Sequence, residues 1–362
     1  MATILDDLKK IKKIDQSNVL GSIELLYAQI RQVLDEARLI KVPREYSKAT
    51  NIVITGMGGS NLGGRIIQSV FSAEITVPIT IVADYNLPAS VNKNTLVIAC
   101  SYSGNTEETL SAYQEARKKG AKIMAVTASS QGNKLEKLIL ANNNPGYIFK
   151  PQHNPSGQPR LGLGYAIFGI MVLLAKAGFM TINVKEIEKT ITKLELWDHE
   201  LRPSEPTADN QAKKMALEVF GRQLVLVGPE FLAGNLHALR NQFCENSKTF
   251  NSYLLLPDLN HYAMEGLSFP KINPKNLIFV FFDTLLAPKN IQRRSLLTKE
   301  VIKQNNIGIT SHILSGKTKL EQSLQLLQLG SWISFYLGIL NNVNPVAIPF
   351  VDWFKKQLGR KD

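Results

Sequence analysis

Cysteine is almost missing from this 362-residue sequence: only Cys100 and Cys244 occur, with five histidines. Two thiols cannot form a disulfide framework, so a reducing cytoplasm is the expected setting, and each cysteine is expected to act as a small buried hydrophobe. His153, His199, His237, His261 and His312 are scattered without zinc-ligand spacing, and neither a metal nor another cofactor is expected. Basic and aromatic residues are not interleaved as single-stranded nucleic acid would require. The net charge of +12 therefore reads as a solvated surface that also favours anionic small molecules. Long apolar runs are lacking too. Residues 161–175 are free of charge but too short to span a bilayer, and the charge-free stretch 322–351 is broken by glutamines, asparagines, serines and prolines; both are expected as buried helices rather than membrane spans. Residues 1–18 mix Asp6 and Asp7 with four lysines, so no secretory signal is expected.

Two loops stand out instead. Gly56-Met57-Gly58-Gly59-Ser60-Asn61-Leu62-Gly63-Gly64 follows the apolar run Ile52-Val53-Ile54, and Ser101-Tyr102-Ser103-Gly104-Asn105-Thr106-Glu107-Glu108-Thr109-Leu110 follows Leu96-Val97-Ile98-Ala99-Cys100. Each sits where a buried strand should give way to a helix. There, orphan backbone N–H groups meet the positive end of the helix dipole, and glycines let an anion come close. The first loop lacks the lysine of a P-loop and alone could be a structural turn. The second is more specific, because four short polar side chains fall within one turn. Asn105 and Glu108 resemble a capping box, yet capping would need only one of those four. Two such turns at neighbouring strand ends would face one crevice and read as a sugar-phosphate site.

The rest of the chain is expected to be α/β, with two doubly wound parallel sheets and helical extensions. A helical lead-in over 1–48 precedes a first domain at 49–200, with strands at 51–55, 79–84, 96–100 and 122–127. Its helices are expected at 62–70, 107–119, 133–138 and 163–176. Two prolines and small polar residues mark 201–210 as a linker. A second domain at 211–342 repeats the alternation, with strands at 223–227, 252–256, 277–282 and 307–314 and helices at 232–247, 291–304 and 320–340. A helical tail occupies 343–362. The strand-end turns of the second half lack glycine and serine, so only the first half should hold phosphate.

On the helix at 232–247 the apolar positions Leu232, Leu236, Leu239 and Phe243 leave Glu245 on another stripe. By spacing alone it is either a solvated helix-end residue or a carboxylate available for proton transfer. His261 lies in Pro257-Asp258-Leu259-Asn260-His261-Tyr262, a polar turn directly after a strand, where function often sits. Arg160 before a helix and Lys355 in a basic terminal helix are unremarkable when read without further comparison.

The segment 101–110 resembles the signature of the sugar isomerase (SIS) domain. With the first loop and the remainder of the chain, it resembles the bifunctional phosphoglucose/phosphomannose isomerase family. That resemblance implies an aldose–ketose isomerase acting on glucose 6-phosphate, fructose 6-phosphate and mannose 6-phosphate through an enediol or enediolate. It further implies that Gly59, Ser60, Ser101, Ser103 and Thr106 hold the phosphate and nearby hydroxyls. In Glu245-Asn246-Ser247-Lys248 the glutamate would carry a proton between carbons 1 and 2, and His261 would open the sugar ring, reaching the neighbouring subunit's site in a homodimer. Arg160 and Lys355, or its neighbour Lys356, would supply positive charge at the reacting oxygens, the lysine from a C-terminal tail that folds back into the site. Asn61-Leu62 stands where the family commonly has Gly-Ile, and no aromatic precedes Gly162, so the pocket is expected to differ there. A sugar-phosphate-sensing protein without catalysis is the alternative. An aminating isomerase would call for a glutaminase module with a leading cysteine, whereas this sequence opens Met1-Ala2.

Overall fold

Short β-branched runs pair into two sheets in the computed structural model, which describes residues 3–359. In the first sheet β1 (Asn51–Thr55), β2 (Ile79–Val82), β3 (Thr95–Cys100), β4 (Lys122–Ala128) and β5 (Gly146–Phe149) take the order β2-β1-β3-β4-β5. In the second, β6 (Gln223–Pro229), β7 (Asn251–Leu256), β8 (Leu277–Thr284) and β9 (Gly308–Leu314) take the order β7-β6-β8-β9. Every pairing is parallel, which requires a crossover after each strand and helices on both faces. Accordingly all six residues of β3 are buried. The strand order reverses at β1/β3 and at β6/β8, which places the two crevices.

The crossovers of the first half are α4 (Gly59–Val70), α5 (Glu107–Lys118) and α6 (Lys134–Ala141), preceded by α1 (Leu8–Ile14), α2 (Val19–Glu24) and α3 (Leu26–Ala37). After β5 come α7 (Leu163–Lys176), α8 (Val184–His199) and α9 (Gln211–Val219). The second half adds α10 (Ala233–Asn246), α11 (Asn273–Asn276), α12 (Lys289–Gln304), α13 (Lys319–Leu340) and α14 (Pro349–Leu358). Strand β5 and helix α9 go beyond the sequence expectation. In β5 only four residues pair, and the run Asn142-Asn143-Asn144-Pro145 before it reads as loop; tertiary packing of Tyr147 and Phe149, both buried, makes it a strand.

One apolar core joins the halves, running from Ile54 and Leu62 to Leu236, Phe243 and Trp332. Its key contact is α4 against α10. A Cβ on Gly234 would lie 2.4 Å from the Arg65 carbonyl oxygen, so only glycine lets these helix backbones come so close. Helix α13 is long and apolar enough to cross a membrane, but 94% of that stretch is buried inside the protein. The segment 201–210 is held rather than loose: Lys213 Nζ donates to the carbonyls of Pro203 (2.9 Å) and Glu205 (2.7 Å).

Asp198 on α8 sits within this core and accepts from Arg202 Nε (2.7 Å), Gln328 Nε2 (2.7 Å) and Trp332 Nε1 (2.9 Å). Burial outweighs these donors and raises its carboxyl from 3.8 to about 6. Between those values the folded protein binds more protons at this site than the unfolded chain, so the Asp198 contribution to stability declines as pH rises through that window. The Asp198→Asn variant is therefore expected to gain stability relative to the parent between pH 4 and 6. Urea unfolding of both proteins across that range checks the slope.

Candidate active site

The two strand-end loops meet as the alternation required. Helix α4 starts after β1 and α5 after β3, and neither first turn is capped by a side chain of its N-cap residue, Gly58 or Thr106. At the reversal of strand order the first turn of α5 presents its N–H groups to an anion, whereas in α4 those of Ser60 and Asn61 already donate to the carbonyls of Met57 and Gly58 (3.1 and 3.2 Å). The expected capping box of Asn105 and Glu108 does not form. Asn105 Oδ1 instead accepts from the backbone N–H of Lys134 (3.3 Å), because the loop tightens on itself before the helix begins.

Inside the loop the hydroxyls are organised. Ser101 Oγ lies 2.9 Å from Thr106 Oγ1 and accepts from the N–H of Gly104 (3.1 Å), while Ser103 is exposed and its Oγ accepts from the N–H of Asn105 (3.3 Å). Ser60 Oγ accepts from the N–H of Tyr102 (2.9 Å), which ties the two loops together. Gly104 has φ +69°, and a Cβ there would sit 1.7 Å from Asn133 Oδ1. Any other residue would displace Asn133, which caps α6 by accepting from the N–H of Glu136 (2.7 Å). Asn61 turns inward and donates from Nδ2 to the Gly56 carbonyl (2.7 Å), so its extra bulk braces the first loop rather than filling the crevice.

Arg160 connects this crevice to the second half. It follows β5, and a Cβ on Gly59 would fall 2.7 Å from its backbone nitrogen. Its side chain is 2% exposed and donates through Nε to Asn246 Oδ1 (2.7 Å), through Nη1 to Gln158 Oε1 (2.9 Å) and Glu245 Oε2 (2.8 Å), and through Nη2 to the carbonyls of Pro345 (2.8 Å) and Val346 (3.4 Å). These five bonds use all five guanidinium donors. All of its N–H groups are thus engaged within the chain, one of them by Glu245. Glu245 stands at the end of α10, with one carboxylate oxygen on Arg160 and its side chain 29% exposed.

Lys248 escaped the sequence reading although it belongs to the same motif. Its Nζ donates to the carbonyls of Glu245 and Asn344 (2.5 and 2.8 Å), and desolvation together with nearby Arg160 lowers its ammonium to about 8. Position three after a glutamate was the only signal available. Gln158 and Asn246 were equally silent in sequence, since only the fold directs them at Arg160.

Two expected residues are not brought to Glu245. His261 is exposed and follows β7, whereas Glu245 precedes it at the opposite end of the same sheet; the 14 residues of α10 put roughly 20 Å between those ends. Asn260 is fixed beside His261 by donating to Thr298 Oγ1 of α12 (2.7 Å). Lys355 lies on exposed α14, and its ammonium makes no hydrogen bond or ion pair with a described residue. The two cysteines differ from each other: burial pushes Cys100 up to about 12, whereas Cys244 is exposed rather than buried because α10 ends there at the surface.

Comparison with known proteins gives the family. Residues 45–138 match the SIS domain and residues 208–358 match the bacterial phospho-glucose isomerase C-terminal SIS domain. A bifunctional phosphoglucose/phosphomannose isomerase of Caldicellulosiruptor bescii is 32% identical over 347 residues, covering 93% of this chain and 98% of that protein. The chain belongs to the bifunctional phosphoglucose/phosphomannose isomerase family. Another member, from Thermoplasma acidophilum, is 30% identical and covers 86% of this chain and 90% of its own length. Among solved structures, tagatose-6-phosphate ketose/aldose isomerase from Escherichia coli superposes with a TM-score of 0.63 at 14% identity, covering 94% of both chains, which shows the shared fold. In this chain the glycine- and serine-rich strand ends and Arg160 belong to the first half and Glu245 to the second.

Proposed function

We propose that this protein interconverts glucose 6-phosphate and fructose 6-phosphate, and mannose 6-phosphate with the same ketose, as an aldose–ketose isomerase. The observation that carries this reading is the ion pair of Arg160 and Glu245, which draws a carboxylate of the second half to the phosphate-type loops of the first in a chain matching such isomerases along nearly its full length. Gly59, Ser60, Ser101, Ser103 and Thr106, with the first-turn N–H groups of α5, hold the phosphate and neighbouring hydroxyls. Glu245 takes the proton from the carbon next to the carbonyl and returns it one carbon away, passing through a cis-enediol or enediolate. Arg160 acts by aiming that carboxylate. Lys355 or Lys356 supplies positive charge for the developing oxyanion.

His261 opens the sugar ring from a second subunit. The separation of His261 from Glu245 along β7 supports this, because one chain cannot bring them together without unpairing its sheet. The protein acts as a homodimer in the cytoplasm, where its phosphorylated substrates are retained by their charge.

A coupled assay starting from fructose 6-phosphate, with both aldose products detected separately, is expected to show turnover to each. Absence of turnover with sugar phosphate still bound would favour the sensing alternative. The shared site has its own test. Glu245→Gln and His261→Ala proteins, each inactive, are mixed and allowed to exchange subunits. Roughly half the dimers become mixed, each with one intact site, so activity should return to about a quarter of the parent value. No recovery would place His261 in its own subunit's site or outside catalysis.

A further inference from the structure

Helix α14 is amphipathic, and none of its residues is fully buried. Phe350 (88% exposed), Trp353 (63%), Phe354 (56%) and Leu358 (65%) fall at i, i+3, i+4 and i+8 on one face, with Asp352, Lys355 and Lys356 on the other. So large an apolar stripe left in water is a partner surface by default. Its root is fixed, because the carbonyls of Pro345 and Val346 accept from Arg160.

A second apolar surface lies at the other end of the second sheet. Between α12 and the C-terminal ends of the strands opens a cavity of about 280 Å³, walled by Phe281 and rimmed by Leu285, Leu296 and Ile313, three side chains that are themselves more than half exposed. At its polar side Asp283 pairs with Lys299. No residue of α14 lines this cavity. The root of α14, held at Arg160 and Lys248, and this cavity lie at opposite ends of one chain's sheet, and the helix does not reach its own chain's cavity.

We propose that α14 is an exchanged arm, whose apolar face seats in the cavity at the C-terminal strand ends of a second copy of this chain. The proposal rests on the two-subunit site described above, and the geometry couples the two. Arg160 binds Glu245 and the root of α14 together, while α12 carries both the cavity wall at Leu296 and the Thr298 that fixes Asn260 beside His261. An arrangement that delivers the partner's histidine loop to Glu245 therefore also presents the partner's cavity to α14. The area is adequate as well. Aromatic side chains bury about 150–250 Å² each, so two reciprocal arms bury on the order of 1,000 Å², most of what a specific interface needs. Seating α14 would also fix Lys355, whose ammonium no described residue holds.

Crosslinking between singly substituted chains tests the arm. Phe354→Cys and Leu296→Cys proteins, both carrying Cys244→Ser, are mixed under subunit exchange and treated with a short bis-maleimide. The expected product is a crosslinked dimer containing one chain of each kind, absent when either protein is treated alone. In the parent protein, the Trp353 contribution to fluorescence, isolated by difference from Trp353→Phe, is expected to be blue-shifted and protected from acrylamide. Exposed-indole emission without the mixed crosslink, in dimers that still complement Glu245→Gln with His261→Ala, overturns the arm and leaves the shared site standing. A mixed crosslink without complementation supports the arm and removes the shared histidine. Retention of the parent on phosphatidylserine vesicles, lost in Trp353→Ser and accompanied by no crosslink, overturns the proposal in favour of a lipid surface.

Discussion

Replacing Glu245 by glutamine is expected to lower turnover by about 10²–10⁴-fold, the usual contribution of one positioned proton-transfer group. The substitution keeps the size and one acceptor oxygen of the side chain, so the bond from Arg160 Nη1, now 2.8 Å, can persist. Binding of sugar phosphate should change little, because the loops around Ser60 and Ser101 lie on the other half of the chain. Proton exchange separates this from a general loss of structure. In deuterated solvent the parent protein should place deuterium at carbon 2 of the aldose, and the variant should not. Exchange retained in Glu245→Gln would assign the proton transfer to another group.

Arg160→Met is expected to cost about 1–3 kcal/mol of stability and at least 100-fold in kcat, the first because buried acceptors lose their donor while the part-exposed Glu245 carboxylate is left to solvent and the second because small displacements of a reacting group are expensive. Its guanidinium joins five acceptors from three separate stretches of chain: Gln158, the end of α10, and the segment before α14. Removing it leaves the Asn246 and Pro345 oxygens without their donor inside the protein. Arg160→Lys should recover part of the stability and little of the activity, since one ammonium cannot span five acceptors in a plane. Urea unfolding with a parallel kcat measurement decides the matter. A variant as active as the parent would show that Glu245 needs no such anchor.

Both results follow from a structure whose main lines were visible in the sequence. The strand-end loops were legible because phosphate-type turns need glycine and hydroxyls at a fixed place relative to an apolar run. The parallel sheets were legible because strands buried on both faces leave uninterrupted runs such as Leu96-Val97-Ile98-Ala99-Cys100. Strand β5 was hidden, since pairing of only four residues after three asparagines and a proline carries too little local preference. The capping box failed for a related reason: Asn105 can satisfy several backbone groups, and the long-range partner at Lys134 won.

By itself the sequence determined the α/β alternation, the two loops and the family resemblance, because each depends on residues close together in the chain. Tertiary structure decided what Arg160 touches. Its acceptors lie between two and 186 positions away, and no pattern in the sequence encodes that convergence. It also decided that His261 and Glu245 stand at opposite ends of one sheet, because a strand and the helix before it run antiparallel, and neighbours in sequence motif become remote in space.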